Sequence, residues 1–465
     1  MIHRLGFSGV LSVVLVSAAL VGAAEAPGFW PRWRGPNDNG VAPAGNPPTQ
    51  WSETLNVRWK TAIPGLGTST PIIWGDLVFI LTAVPAGPPT TATTTTAAAS
   101  PAGRPATATT AAATAAAAPE AKRGEPPNLA KPGEPYEFLV IALDRATGAL
   151  RWQKQACKEV PHEGHHLDHG FASASPVTDG QHLIASFGSR GVYGYDLEGN
   201  LKWEKRLGQM KTRNSFGEGS SPALHGNTVI VVWDHEGDDF IVALDKSTGQ
   251  ELWRRPREEP TNWTTPLVVD HNGRTEVMVN GTQRIRSYDL ATGELLWECA
   301  GMTLNAIPTP LVGPELAYFT SGFRGSALLA IKLGGKGYLT GTPAIAWQRK
   351  GGTPYVPSAL LYGDFLYFLA DNNALLTCLD AATGKAHFEG QKLPEMKGMY
   401  ASPVGVAERV YLAGRAGKTT VIRRGPALEI LACNTLDDRF DASPAVAGDA
   451  LFLRGHRSVY CIAAP

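Results

Sequence analysis

The chain has 465 residues, little cysteine, no net charge and one long apolar run, and each shortage removes a class of function. The five cysteines (Cys157, Cys299, Cys378, Cys433 and Cys461) are far apart. No CxxC pair suggests zinc or dithiol redox chemistry, and no CxxCH suggests haem attachment. An exported protein is free to oxidise one pair, but the spacing selects none. Lys+Arg and Asp+Glu both number 42, so bulk binding to nucleic acid or to an anionic membrane is not expected. GxSxG and GxGxxG are missing. GRAGKTT (414–420) resembles a phosphate loop, but it lacks the leading glycine at the right spacing and falls in a hairpin.

The apolar run extends from Val10 to Val21, behind His3 and Arg4, and small residues follow through Ala23 and Ala24. This reads as a secretory signal peptide over residues 1–24, too short and wrongly flanked for a spanning helix. No cysteine follows the cleavage region, so no lipid anchor on a mature N-terminal cysteine is expected. The expected location is periplasmic or secreted.

What the chain has in quantity is turn residues, with 51 glycines and 35 prolines, and a repeat. Residues 220–253 read SSPALHGNTVIVVWDHEGDDFIVALDKSTGQELW, and residues 264–297 read TTPLVVDHNGRTEVMVNGTQRIRSYDLATGELLW. Each begins with Ser/Thr-Pro, runs through three short apolar or alternating segments, turns at a Thr-Gly and ends on a tryptophan. The proline recurs at Pro71, Pro176, Pro222, Pro266, Pro310, Pro403 and Pro444, with an inverted copy at Pro357-Ser358. The closing aromatic recurs at Trp152, Trp203, Trp253, Trp297, Trp347 and Phe388. Four short strands every roughly 40 to 50 residues mark the blades of a β-propeller.

The expected fold is therefore all-β, an eight-bladed β-propeller of four-stranded antiparallel blades, spanning residues 30–465. The last copy supplies only three strands, and NVRWK (56–60), with Trp59, completes it and closes the ring. Residues 85–135, rich in Ala, Thr and Pro, are expected to be a disordered insert within the first blade.

With strands A to D running outward, A–B and C–D turns share one face, and B–C turns and D–A connections share the other. The Thr-Gly turns are all C–D and read as structural. The irregular features fall on the opposite face. Before each Ser/Thr-Pro stand Phe171, Phe216, Trp263, Tyr355, Tyr400 and Phe440, an aromatic rim to a central funnel. Asn214, Glu218, Asn262, Asn305 and Asp441 are interleaved with them. B–C turns carry Arg190, Arg284, Arg324, Arg415, Arg454 and Arg457, which suggests an anionic ligand, since arginine binds oxyanions in a fork. Ordinary exposed turn residues are the alternative. The candidate ligand-binding set is Arg190, Arg324, Trp263, Tyr355, Tyr400, Glu218, Asn262 and Asp441. DHEGDD (234–239) is read as a solvated acidic turn rather than a calcium loop.

HEGHHLDHGFASASP (162–176) joins the first blade to the second. His162, His165, His166 and His169 stand at i, i+3, i+4 and i+7, and with nearby carboxylates they are candidate metal ligands. No CxxC pair supports them, and a polar loop over the funnel is the favoured alternative.

IVALDKSTGQELW (241–253) and VIALDRATGALRW (140–152) resemble the pyrroloquinoline-quinone-like (PQQ-like) propeller repeat family, a likeness that covers nearly all of the chain after residue 30. One branch of that family, the quinoprotein dehydrogenases, implies a quinone cofactor (PQQ) with calcium, held near an adjacent Cys-Cys pair that this chain lacks. The other, BamB-type factors of outer-membrane protein assembly, implies a non-enzymatic scaffold, although its members are usually lipoproteins. WPRWRGPNDNG (30–40) and NSFGEGSSP (214–222) also resemble exported bacterial propellers common in planctomycete-like genomes. The repeat marks blade packing and so speaks to fold more than to function. The expected function is a non-catalytic, monomeric binding scaffold for a small anionic ligand, a glycan or an envelope protein. The alternative is a PQQ-dependent dehydrogenase of alcohols or sugars.

Overall fold

The computed structural model describes residues 28–87 and 130–464. The expected signal peptide and the body of the Ala/Thr/Pro insert lie outside them. Eight antiparallel sheets form the blades of one propeller. Blade 1 shows the plan, with strands Ile72–Trp74, Leu77–Pro85, Tyr136–Asp144 and Leu150–Glu159 from the axis outward. Blade 8 takes Ala445–Ala447, Ala450–Arg454 and Ser458–Ile462 from the C-terminus, and Val57–Ala62 adds its outer strand, Trp59 opposite Cys461. Blade 4 gains a fifth strand, because Gly337–Tyr338, from the C–D connection of blade 5, pairs parallel along its edge. All five cysteines are free. No helix of the described residues is long and apolar enough to cross a membrane.

Burial explains the hydrophobic pattern. The B and C strands of blade 3, Thr228–Trp233 and Phe240–Asp245, are covered by neighbouring blades on both faces and are almost wholly buried. They accordingly read as unbroken apolar runs. The outer strand Glu251–Pro256 alternates, with Trp253 turned inward and its flanking residues exposed.

Two devices join the blades. At the periphery, each outer tryptophan lies on the C–D turn of the next blade. Trp203 packs against Gly249, and its Nε1–H donates to the Lys246 carbonyl at 2.7 Å. Trp59, Trp152, Trp253 and Trp347 repeat this on Arg145, Leu197, Leu290 and Ala381. The turn needs glycine twice over: Gly249 has φ +70°, and a Cβ there would sit 2.5 Å from the Trp203 ring. Trp297 departs, donating to Glu276 of its own blade.

At the axis, the backbone N–H of the hydroxyl residue in six of the opening signatures donates to the hydroxyl of the next. The Thr70 N–H donates to Ser175 Oγ, Ser175 N–H to Ser221 Oγ and Ser221 N–H to Thr265 Oγ1. Thr309 N–H donates to Ser358 Oγ, Ser358 N–H to Ser402 Oγ and Ser402 N–H to Ser443 Oγ. The inverted Pro357-Ser358 keeps its place because the hydroxyl, not the proline, holds the ring position.

Residues 30–42 cross the base of the axis on the A–B side. Trp30 pairs with Ile73 of blade 1, the Thr178 N–H of blade 2 donates to the Pro31 carbonyl, and Ala42 and Gly40 bond Gly405 of blade 7. Arg34, 2% exposed, donates to the Pro403 and Ala359 carbonyls, and burial pushes its guanidinium down to about 9. Trp33 donates to Ser443 in the hydroxyl ring. The propeller is thus a cup with a floor.

Ser402→Ala is expected to leave the buried Ser358 N–H without a partner and to cost about 1–3 kcal/mol in chemical denaturation. Ser402→Thr, which restores the oxygen, is expected to recover most of that loss.

Candidate functional site

The cup opens on the face of the D–A connections and B–C turns as a funnel of about 700 Å³. Trp33 is part of its floor, and Phe216, Trp263, Phe323, Tyr355 and Tyr400 line its wall. The ring serines Ser175, Ser221 and Ser443 also reach it. A rigid ring of strands thereby presents residues from irregular connections, the usual arrangement for binding loops.

The histidine-rich connection is a strap across one side of the mouth. At its base, His162 Nε2–H donates to the Met210 carbonyl at 2.6 Å, and Glu163 accepts from the Thr212 N–H and hydroxyl. Burial raises the Glu163 carboxyl, an effect its Thr212 hydrogen bonds only partly offset. In the middle, the His166 N–H donates to the Phe216 carbonyl, and its ring meets Phe216 edge-on at 5.0 Å. His165 meets Phe171 the same way at 4.6 Å. His169 lies with Nε2 2.5 Å from the Phe216 carbonyl and Nδ1 3.0 Å from the Ser173 hydroxyl. Desolvation, with the neighbouring His165, pulls His169 down to about 4.

The far end of the strap is a charged clasp. Asp168 accepts from the Tyr400 hydroxyl at 2.7 Å, from Arg439 at 3.1 Å and from Arg415. Arg415 and Arg439 also hold Asp441, at 2.7 and 2.9 Å, and His456 lies 2.8 Å from the same carboxylate. Burial alone would raise the Asp168 carboxyl, but the Tyr400 hydroxyl and Arg415 outweigh it and hold the group below the usual carboxylate range. The strap therefore runs from the connection between blades 2 and 3 to blades 7 and 8.

Of the residues singled out in the sequence, Arg324, Trp263, Tyr355, Tyr400, Asp441, His166 and His169 all line the funnel. Arg190, Glu218 and Asn262 do not. Arg190 and Glu218 form a buried ion pair at 2.9 Å, with Glu218 also accepting from the Ser189 N–H and hydroxyl. Asn262 bonds Asp234. The four histidines do not converge. Among the described residues, the three-ligand grouping is His162, Glu163 and Glu218, with one atom each within 4.8 Å. Glu218 there is already neutralised by Arg190, and the imidazole Nε2–H is spent on Met210, so these atoms read as the strap's anchor.

The turn arginines mostly have partners: Arg284 pairs with Glu298, Arg415 with Asp168 and Asp441, and Arg457 with Asp437. Arg454 is buried against the Leu81 carbonyl, and burial lowers it to about 9. The acidic turn 234–239 is solvated at its tip, where Glu236 and Asp238 are exposed, but not at its base. Asp234 is fully buried against Arg257 at 2.7 Å, Glu236 accepts from Thr261, and Asp239 caps the Glu258 and Glu259 N–H groups. Sequence reasoning missed Trp33, Arg213, Phe323 and Arg439. WPRWRG held a signal for the first, in its two tryptophans outside any repeat.

A calcium–quinone pair does not fit this donor set. Asp441 and Glu218 each carry an arginine, Asn262 is taken by Asp234, and the five cysteines sit in the third or outermost strands of their blades, away from the funnel.

The fold and its cup define a PQQ-like eight-bladed propeller. A family profile described as outer membrane protein assembly factor BamB matches residues 136–389, more than half of the chain, which belongs to that family. The outer membrane protein assembly factor BamB of Shewanella oneidensis is 22% identical over 295 residues, 61% of this chain and 66% of that protein, just under two thirds of the relative. Among solved structures, BamB from Moraxella catarrhalis overlays with TM-score 0.50 at 15% identity, covering 70% of this chain and 93% of that one. Quinohemoprotein alcohol dehydrogenase from Comamonas testosteroni overlays with TM-score 0.59 at 10% identity, covering 96% and 82%. At these identities the structural likenesses show the fold.

The strap carries a pH signature. An unfolded histidine ionises near 6.5, whereas folded His169 stays neutral to about 4. The unfolded chain binds the extra proton between those values, so this stabilisation is complete above about pH 6.5 and is lost as pH falls toward 4. Denaturation at a series of pH values is expected to show a shallower acid loss for His169→Asn than for the unmodified protein.

Proposed function

We propose that the protein is a non-catalytic, exported propeller that acts as a binding scaffold in the cell envelope, with the funnel as its ligand-receiving face. The observation that carries this reading is the funnel itself: a floored cavity with aromatic faces turned inward, whose carboxylates are both already paired with arginine. A general acid or base needs a titratable group left free to exchange protons with a substrate, and paired carboxylates serve shape instead. Family membership supports the scaffold role, since the family and its Shewanella oneidensis relative are named for outer membrane protein assembly. The apolar run at residues 10–21 supports export.

The test is titration of the purified protein with PQQ and calcium, followed by visible absorption and by dye reduction on alcohols and sugars. The expected result is no saturable spectral shift and no dye reduction. Saturable uptake with dye-linked turnover would replace the scaffold reading by the quinone-dependent oxidoreductase.

A further inference from the structure

Resting on that binding reading, we infer that the funnel takes an acidic saccharide: a sugar-sized ligand whose carboxylate or sulfate sits between Arg213 and Arg324 and whose ring lies on the adjoining aromatic faces. The funnel's charges are unevenly satisfied. On the side of blades 7 and 8, Asp168 and Asp441 are compensated by Arg415, Arg439 and His456. On the side of blades 3 to 5, Arg213 bonds only Asn305 through its side chain, at 3.3 Å, and Arg324 has no hydrogen-bond or carboxylate partner among the described residues. The two lie on one continuous patch. Leu304, next to Asn305, pairs with Phe323, which precedes Arg324, and Tyr355 stacks on Phe323 at 5.0 Å. Two guanidinium groups without a carboxylate partner, set among aromatic faces and neutral polar side chains, focus a positive potential there, and arginine's fork matches a planar carboxylate or a sulfate.

The backbone points to the same patch. Asn214, Ser215, Asn305 and Arg324 all hold positive φ, from 51° to 55°, a conformation costly for residues with a Cβ. Such strain persists where surrounding structure imposes it, and it gathers at ligand clamps. The body of the ligand follows from the rest of the lining. A saccharide ring has an apolar face for Trp263 or Tyr355 and hydroxyls at its edge. Asn214, Ser173 and Ser221 of the funnel supply edge partners that a purely aromatic acid would leave unused.

The test is binding of the full chain to an array of uronate-ended, sulfated and matched neutral saccharides, using the unmodified protein, Arg324→Glu and the double variant Arg213→Gln/Arg324→Gln. Retention of acidic saccharides is expected at least about tenfold above their neutral counterparts, with a loss of about tenfold or more in either variant. The uronate and sulfate arms distinguish the two sources of negative charge. Arg324 is exposed, so Arg324→Glu is expected to keep the melting temperature, and a variant with native Tm keeps the comparison valid. Equal retention of neutral saccharides, unchanged retention by a natively folded variant, or no retained acidic saccharide would overturn the assignment. The quinone titration decides the scaffold reading separately: a failed array without quinone uptake removes only the acidic saccharide.

Discussion

The hydroxyl ring at the axis is the constraint on which the rest of the structure depends. The residue before each signature proline is held extended, and its N–H lies deep in the molecule, where an unpaired donor is costly. The next blade's hydroxyl meets that need, so one short hydrogen bond satisfies a buried donor and fixes the distance between adjacent inner strands. Repeated around the ring, it sets the bore of the cup. It also fixes where the preceding residues emerge, because Trp263, Tyr400 and Asp441 stand only two residues before a ring hydroxyl. The aromatic rim is therefore a consequence of ring closure. The peripheral tryptophans do the complementary work: they bury large apolar area between blades and leave the inner ring to set geometry.

Charge in the cup follows a second rule, self-neutralisation. Buried ion pairs stabilise little over an apolar alternative, but breaking one strands a charge at a cost of about 3–5 kcal/mol. Asp234–Arg257 and Arg190–Glu218, both nearly sealed from solvent, thus lock the connections beneath the funnel into one arrangement. The Asp168 clasp does the same for the strap at the surface. Against this background Arg213 and Arg324 stand out, for they lie in the same cup and share no carboxylate. A chain that pairs its other funnel charges internally has left these two for something else.

What was legible in the sequence was whatever recurs. Ser/Thr-Pro, the Asp-x-x-Thr-Gly turn and the closing tryptophan each answer a local need that every blade shares. Their spacing disclosed the blade count, the ring closure by residues 56–60 and the face on which irregular loops gather. The partners of individual side chains were not legible, because they are set by ring geometry over long separations. Asp168 meets Tyr400, and Trp33 meets Ser443, across hundreds of residues. Arg190 and Arg324 look alike as turn arginines. One finds Glu218 beneath it and is sealed, while the other, held at φ +51°, remains exposed on the funnel. The acidic turn divides for the same reason: Arg257 folds against Asp234 and seals it, while Glu236 and Asp238 at the tip stay exposed.

The histidines of HEGHHLDHG find their explanation in the strap's backbone. A connection that leaves the sheets loses its ladder partners, and its own carbonyls and those of the loop it crosses need donors. A neutral imidazole offers one donor and one acceptor on a rigid ring, and it stacks edge-on against aromatic side chains. His162 and His169 donate to the carbonyls of Met210 and Phe216, His165 donates to that of His166, and His166 and His165 pack on Phe216 and Phe171. Lysine or arginine could donate as well, but each would bring a permanent charge into a crowded base where Glu163 already resists ionisation. His169, which burial holds neutral to about 4, supplies its hydrogen bond without that charge, and so ties the strap down while the arginine-paired fastening, Asp168, is kept for its far end.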